Sequence, residues 1–173
     1  MPSSRIINPE LVGVWSANAR FGLGAQADEI VVFKPDGTGW LEVLNGFPCS
    51  ADFFEWTLTS PGWVALAGTK SLTLDVKTDK LIDSQDLMEV KHLPYQVQEE
   101  HTPSGKVMQV LRIELLNFGK GAFGFLEINP ESYTEPRNHR GSRVHKRQNK
   151  ALNLTSSSFA RFSLFRRRAR LDR

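Results

Sequence analysis

The residues able to do chemistry are scattered along this chain rather than grouped. His92, His101, His139 and His145 show neither i,i+2 nor i,i+4 metal spacing, and Cys49 is the only cysteine, so no zinc site can be built on thiolates. Glu99 and His101 share strand parity, which makes a two-ligand site the best metal candidate; a solvated strand end is the competing reading. Neither a metal nor another cofactor is expected. Asp83, Asp86 and Glu89 lie three apart and would group on one helical turn as a charged solvent face. Cys49 sits between Pro48 and Ser50 without an adjacent histidine to activate it, as suits a structural thiol rather than a nucleophile. Gly119-Lys120-Gly121-Ala122-Phe123-Gly124 matches the dinucleotide fingerprint by letter. That fingerprint works only after a strand and at a helix N-terminus, whereas these glycines run into a short strand, so a hairpin is expected. Gly22-Leu23-Gly24 reads as a mouth loop. No Ser-His-Asp arrangement has a local signature, and no catalytic residue is assigned.

The elements that would position any site come from residues 11–128, a series of short strands broken by turn chemistry. Glu29 to Lys34 contains three successive β-branched residues, Ile30, Val31 and Val32, suited to a pleated surface. Pro35-Asp36-Gly37-Thr38-Gly39, Ser60-Pro61-Gly62 and Pro103-Ser104-Gly105 supply turns, glycine offering the positive φ that tight hairpins need. Ser71 to Lys77 alternates, with Leu72, Leu74 and Val76 on one face. Leu11–Ala17, Trp40–Leu44, Asp52–Thr59, Trp63–Ala67, Tyr95–Thr102, Lys106–Leu116 and Phe123–Ile128 complete eight or nine strands. Segment 78–94 is poorest in pattern and is expected to be a polar loop or a short helix. Asn8-Pro9-Glu10 has cap-like chemistry for one helical turn. Local connections give antiparallel neighbours, and a meander this long hides its edges best by closing. The expectation is an all-β, antiparallel up-and-down closed barrel of about eight strands.

Charge divides the chain of 173 residues. Arg137 to Arg173 holds 12 Lys/Arg and one acid, a charge of +11, while residues 1–136 hold 10 basic and 18 acidic side chains, a charge of −8. The domain reading is therefore a barrel over 1–136 and a basic, disordered tail over 137–173. No apolar run approaches the ~20 residues of a membrane span. The N-terminus lacks a secretory apolar stretch, and the cysteine count suits a reducing compartment. A cytoplasmic setting is expected, with a nuclear one open through the basic tail.

Gly13-x-Trp15 at the start of the first strand, preceded by Leu11, resembles the opening signature of lipocalins and the wider calycin group. Lys34-Pro35-Asp36-Gly37-Thr38-Gly39 and Phe54-Glu55-Trp56-x-Leu58 look like strand-turn segments of small lipocalin-like intracellular domains. The resemblance spans about residues 8–128. It implies that Gly13 lets the chain pass close to neighbouring backbone, and that Trp15 closes the barrel floor against an arginine of a late strand, for which Arg112 is the candidate. The secreted lipocalins' disulfide pattern and signal are missing, so their extracellular transport role is not implied.

Such a barrel is a container, and eight strands can leave room for one small apolar ligand. Phe54, Trp56 and Leu58, Leu72 and Leu74, and Leu111 and Ile113 are the candidates to line the pocket; the alternative is that they fill a solid core. Trp40 and Trp63 either cap an end or sit exposed. The leading function is binding of a small apolar ligand inside the barrel without catalysis. A motif-poor isomerase or cyclase would act by confinement in the same pocket. A third reading has the tail engaging nucleic acid or another acidic surface through Arg137, Arg140, Arg143 and Arg166-Arg167-Arg168. Within that tail Phe159, Phe162 and Phe165 recur every three residues after Thr155-Ser156-Ser157-Ser158, the pattern of a membrane- or partner-binding helix. An appendage without a fixed role is the remaining possibility.

Overall fold

Three hairpins set the path of the chain. Gly37, Gly62 and Gly105 have φ of 81°, 75° and 80°, a region that L side chains enter only at a cost. All three are the turn glycines expected from sequence. The computed structural model describes residues 5–21, 28–44, 49–75, 78, 80–87, 89–115 and 121–133. The basic tail, Gly22-Leu23-Gly24 and Gly119-Lys120 lie outside the described residues.

Nine strands follow in order: β1 Gly13–Ser16, β2 Asp28–Phe33, β3 Thr38–Leu44, β4 Cys49–Ser60, β5 Trp63–Asp75, β6 Lys80–Asp86, β7 Val90–His101, β8 Val107–Ile113 and β9 Ala122–Leu126. A 3-10 turn, Asn18–Arg20, follows β1. Every pairing is antiparallel. β1 pairs with both β2 and β9, and β4 with β5, so the sheet closes on itself. Eight strands form the wall. β5 is paired on its far edge by β7 along Trp63–Ala67 and by β6 along Lys70–Asp75. β6 therefore extends the wall beside β7 and leaves one edge of the sheet unclosed.

Two expectations are corrected here. Segment 78–94 is neither loop nor helix: β6 and the start of β7 occupy most of it. Its pattern is weak because six of the seven β6 side chains are exposed, so backbone pairing rather than one-sided burial holds the strand. Asp83 and Asp86 consequently sit on a strand, with no helical turn to gather them with Glu89. The stretches 63–67 and 71–75 are not two strands but parts of one, β5, interrupted by a register shift.

The N-terminal segment plugs the end where β1 begins. The Asn8 Oδ1 accepts from the Glu10 amide at 3.0 Å, and the Leu11 amide donates to the Asn8 carbonyl at 3.1 Å, giving the expected turn. The Leu58 amide donates to the Ile6 carbonyl, and Asn8 Nδ2 donates to the Tyr95 hydroxyl, both at 2.8 Å. Leu11 and Ile7 then pack into the barrel. No helix among the described residues is long and apolar enough to cross a membrane.

Candidate functional site

Alternation along the strands separates two apolar layers. The inner one gathers side chains from around the whole wall: Trp15, Val31, Phe33, Leu41, Phe54, Trp56, Leu66, Leu111, Ile113 and Phe123. Five of the predicted lining residues belong to it, Phe54, Trp56, Leu111 and Ile113 as buried members and Leu58 packed against them. Aromatic rings fill its centre. Trp15 meets Phe125 edge-on at 5.0 Å, and Phe33 contacts Phe54 and Trp56 at 5.5 and 5.3 Å. Trp15 Nε1 donates to the Leu11 carbonyl and Trp56 Nε1 to the Thr38 carbonyl, so each indole is buried without an unmet donor.

Leu72 and Leu74 do not line the interior. The register runs Phe54 opposite Gly68 but Phe53 opposite Lys70, leaving Thr69 as an extra residue whose hydroxyl donates to the Phe53 carbonyl at 3.2 Å. This β-bulge reverses the alternation of β5. Before it, Val64 and Leu66 face inward opposite Leu58 and Trp56. After it, Ser71 and Thr73 take the inner face, while Leu72 and Leu74 stand outside opposite Ala51 and Cys49. Alternation holds over Ser71 to Asp75, with Val76 and Lys77 outside the described residues, but its phase depends on the bulge.

The expected packing of Trp15 on Arg112 is also corrected. Arg112 alternates with the inward Leu111 and Ile113, so it points away from Trp15. Its Nε and Nη2 donate to the two Glu100 carboxylate oxygens at 2.6 and 2.7 Å. Arg112 beside it holds the Glu100 carboxyl below the usual carboxylate range, with help from Gln98. A Cβ at Gly13 would meet the Phe125 ring, at 2.6 Å from Cε2, so the close neighbour there is a side chain and not the backbone expected.

The interior is not purely apolar. Asp52, opposite Leu41 and Ser71, is 4% exposed, and Ser71 Oγ donates to its Oδ1 at 2.6 Å. Glu29, opposite Val43, lies on the same face, and burial together with neighbouring Asp28 pushes its carboxyl up. Sequence reasoning missed both because an acid near a strand end reads as solvent-facing, although alternation from Phe54 places Asp52, and from Val31 Glu29, on the inner face.

Where β7 and β8 diverge, an open groove of about 630 Å³ is lined by Pro94, Tyr95, Gln96, Arg112, Ile113, Glu114 and Gly121. Tyr95 and Ile113 belong to the inner layer, so the groove floor is continuous with the core, whereas Gln96, Arg112 and Glu114 give it a polar rim. Of the predicted lining residues, Ile113 lines this groove. At the groove the Ile113 amide donates to the Gly121 carbonyl at 2.9 Å, an approach open to glycine because a Cβ there would strike the Ile113 carbonyl.

Among the described residues no His, Cys, Asp and Glu cluster of three or more can hold a metal ion. Glu99 and His101 share a face as their spacing requires, yet both are exposed. Trp63 is exposed, whereas Trp40 is buried on the outside of the wall, stacked on Tyr133 at 6.1 Å and 27° with the Lys34 ammonium over its ring. Comparison of the chain with protein-family models, curated proteins and solved structures finds no match.

Proposed function

We propose that this protein is a lipocalin-like barrel that binds one small, largely apolar molecule without catalysis, through the groove between β7 and β8. The observation that carries the reading is the groove floor. Tyr95 and Ile113 offer apolar surface continuous with the core, and Gln96 and Arg112 stand at the rim to orient a polar end, the usual division of labour in a small-molecule site. The aromatic filling of the barrel centre favours a ligand seated at this lateral opening over one enclosed along the barrel axis.

Titration of the full chain with a fluorescent naphthalene sulfonate and with a medium-chain fatty acid, followed by tryptophan emission, should give a saturable one-to-one response. Gln96→Trp, at an exposed rim position, should fill the groove and weaken binding by about tenfold or more. A linear, unsaturable response would sink the reading, and unchanged affinity in Gln96→Trp would move the ligand elsewhere.

A catalytic alternative, isomerisation or cyclisation of a molecule seated against Asp52 inside the barrel rather than in the groove, is favoured by one observation: Asp52 is a buried inward-facing carboxyl bonded by Ser71, the kind of group general acid–base chemistry uses. Turnover of a bound candidate that disappears in Asp52→Asn while its affinity persists would select this version. Equal turnover in both proteins would remove it.

A further inference from the structure

Of the four tryptophans, Trp15, Trp40 and Trp56 are each 1% exposed, whereas Trp63 is 45% exposed. Tryptophan is on average a highly buried side chain, so Trp63 is the indole without a place in either apolar layer. It opens β5 on the outer face, since Val64 beside it belongs to the inner layer. Among the described residues no ring stacks on this indole and no cation stands over it. Its partner across the β5–β7 pairing is Pro94, which is also part of the groove where β7 and β8 diverge. The exposed indole therefore borders the groove from the β5 side.

The opposite side of the groove is acidic. The Tyr95 amide donates to the Gly62 carbonyl at 2.8 Å, and successive amides of a strand point to opposite edges, so an amide at position 94 would point towards β8. Proline has no N–H to give, and the β7–β8 ladder ends with Tyr95 opposite Ile113. One step further, the same register brings Glu114 abreast of Pro94, and both line the groove. Glu114 is exposed and lies between the inward Ile113 and Leu115, hence on the outer face. Trp63, Pro94 and Glu114 thus form one row, an indole at one end and a carboxyl at the other. At the usual spacing of neighbouring strands the two ends lie roughly 10 Å apart in the backbone, room for one small cation. Gln96, the next outer residue of β7, donates its Nε2 to Gln98 Oε1 at 2.8 Å, which leaves its Oε1 to accept. Arg112, the cation of the rim, is matched by its two bonds to Glu100. An aromatic face, a carboxylate and an amide oxygen are groups that recognise an ammonium, whereas an anion would meet Glu114. We propose that the molecule held in this groove is an organic ammonium, its cationic head between the Trp63 indole and the Glu114 carboxyl and its apolar body on Tyr95 and Ile113. This inference rests on the groove reading above and adds to it the charge of the ligand and the role of Trp63.

Octyltrimethylammonium and nonanoate carry the same octyl tail on heads of opposite charge. Titrated into the full chain at one salt concentration, the ammonium should bind about tenfold or more tighter. Because Trp63 is the exposed indole, the bound ammonium should also reduce quenching of tryptophan emission by acrylamide. Glu114→Gln and Trp63→Leu, both at exposed positions, should each lower the ammonium affinity towards that of nonanoate. Equal saturable binding of the two probes by the native chain, or tighter binding of nonanoate, overturns the ammonium and leaves the groove reading standing. An ammonium preference kept in full by both variants overturns it as well, since the cation is then seated elsewhere. A response that saturates with neither probe removes the groove reading and this inference together. The comparison of probes is made on the native chain, so it decides the matter even where a variant loses its strand signal in the far-ultraviolet dichroism.

Discussion

At the scale of single residues, the side chains of consequence are acids whose surroundings the strands decide. Burial pushes the Asp28 carboxyl above the usual carboxylate range, with the Glu42 charge adding to the rise, although the Asn18 amide and Ser16 hydroxyl bond the charged form. An acid whose pKa is raised in the folded state lowers stability as pH rises through that folded value, and contributes nothing below the unfolded value. Denaturant titrations across mildly acidic pH should therefore show the native protein losing stability as pH rises over the window just above the ordinary aspartate range. In Asp28→Asn this slope should flatten, and an equally steep slope would place the titration elsewhere. Glu100 has the opposite sign. Its carboxyl is held low by Arg112, so its contribution is present above the unfolded value and is lost as pH falls through the folded one. Gly39 belongs to this scale too. A Cβ there would run into the Val32 carbonyl and the Phe54 ring, and Gly39→Ala should cost on the order of 1–3 kcal/mol in urea unfolding. A cost within error of zero would show that β3 can shift to relieve the contact.

Among the elements, β5 has the largest consequence for the site. The single extra residue Thr69 turns one strand into two half-strands of opposite phase, and so decides that Leu66 is core while Leu72 belongs to the outer cluster. Thr69→Ala removes one hydrogen bond and should cost about 1 kcal/mol. Deletion of Thr69 would remove the bulge yet keep Lys70 opposite Phe53, so Leu72 and Leu74 stay outside and Ser71 and Thr73 inside. Unfolding should stay cooperative, as followed by tryptophan emission against denaturant, whereas insertion of one alanine after Lys70 should reverse the phase of Leu72 and Leu74 and abolish cooperativity. A cooperative insertion variant would mean that the bulge absorbs the extra residue along β5. The turns were legible in advance because their chemistry is local: Asp36-Gly37, Pro61-Gly62 and Ser104-Gly105 carry their own φ requirement. β6 was not legible, because a strand exposed on both faces has no alternation to read.

On the scale of the whole molecule, residues 1–136 carry a charge of −8 and residues 137–173 one of +11, and stretches of opposite charge attract each other. Single-stranded oligonucleotide should therefore bind the full chain more weakly than an isolated peptide of residues 137–173, the gap narrowing as salt rises. Equal affinity of the two at low salt would show that the acidic stretch does not compete for the basic one.

The amino-acid sequence by itself determined the class of structure: short β-branched and aromatic runs, glycine at each tight turn, and local connections that leave an antiparallel meander little choice but to close. It also placed Phe54, Trp56, Leu58, Leu111 and Ile113 on the inner face, since within an uninterrupted strand alternation is reliable once one residue is anchored. Everything that depended on register across strands was decided by the tertiary structure. The phase of Leu72 and Leu74 turned on a bulge that no local pattern announces. The partner of Arg112 proved to be Glu100, on the neighbouring strand of the same hairpin, rather than Trp15. The second apolar layer became visible only when Val14, Val32, Trp40 and Leu72 were brought side by side. The physical reason is one of range: turn preference and alternation are properties of a few consecutive residues, whereas burial is a property of what the folded chain brings against them.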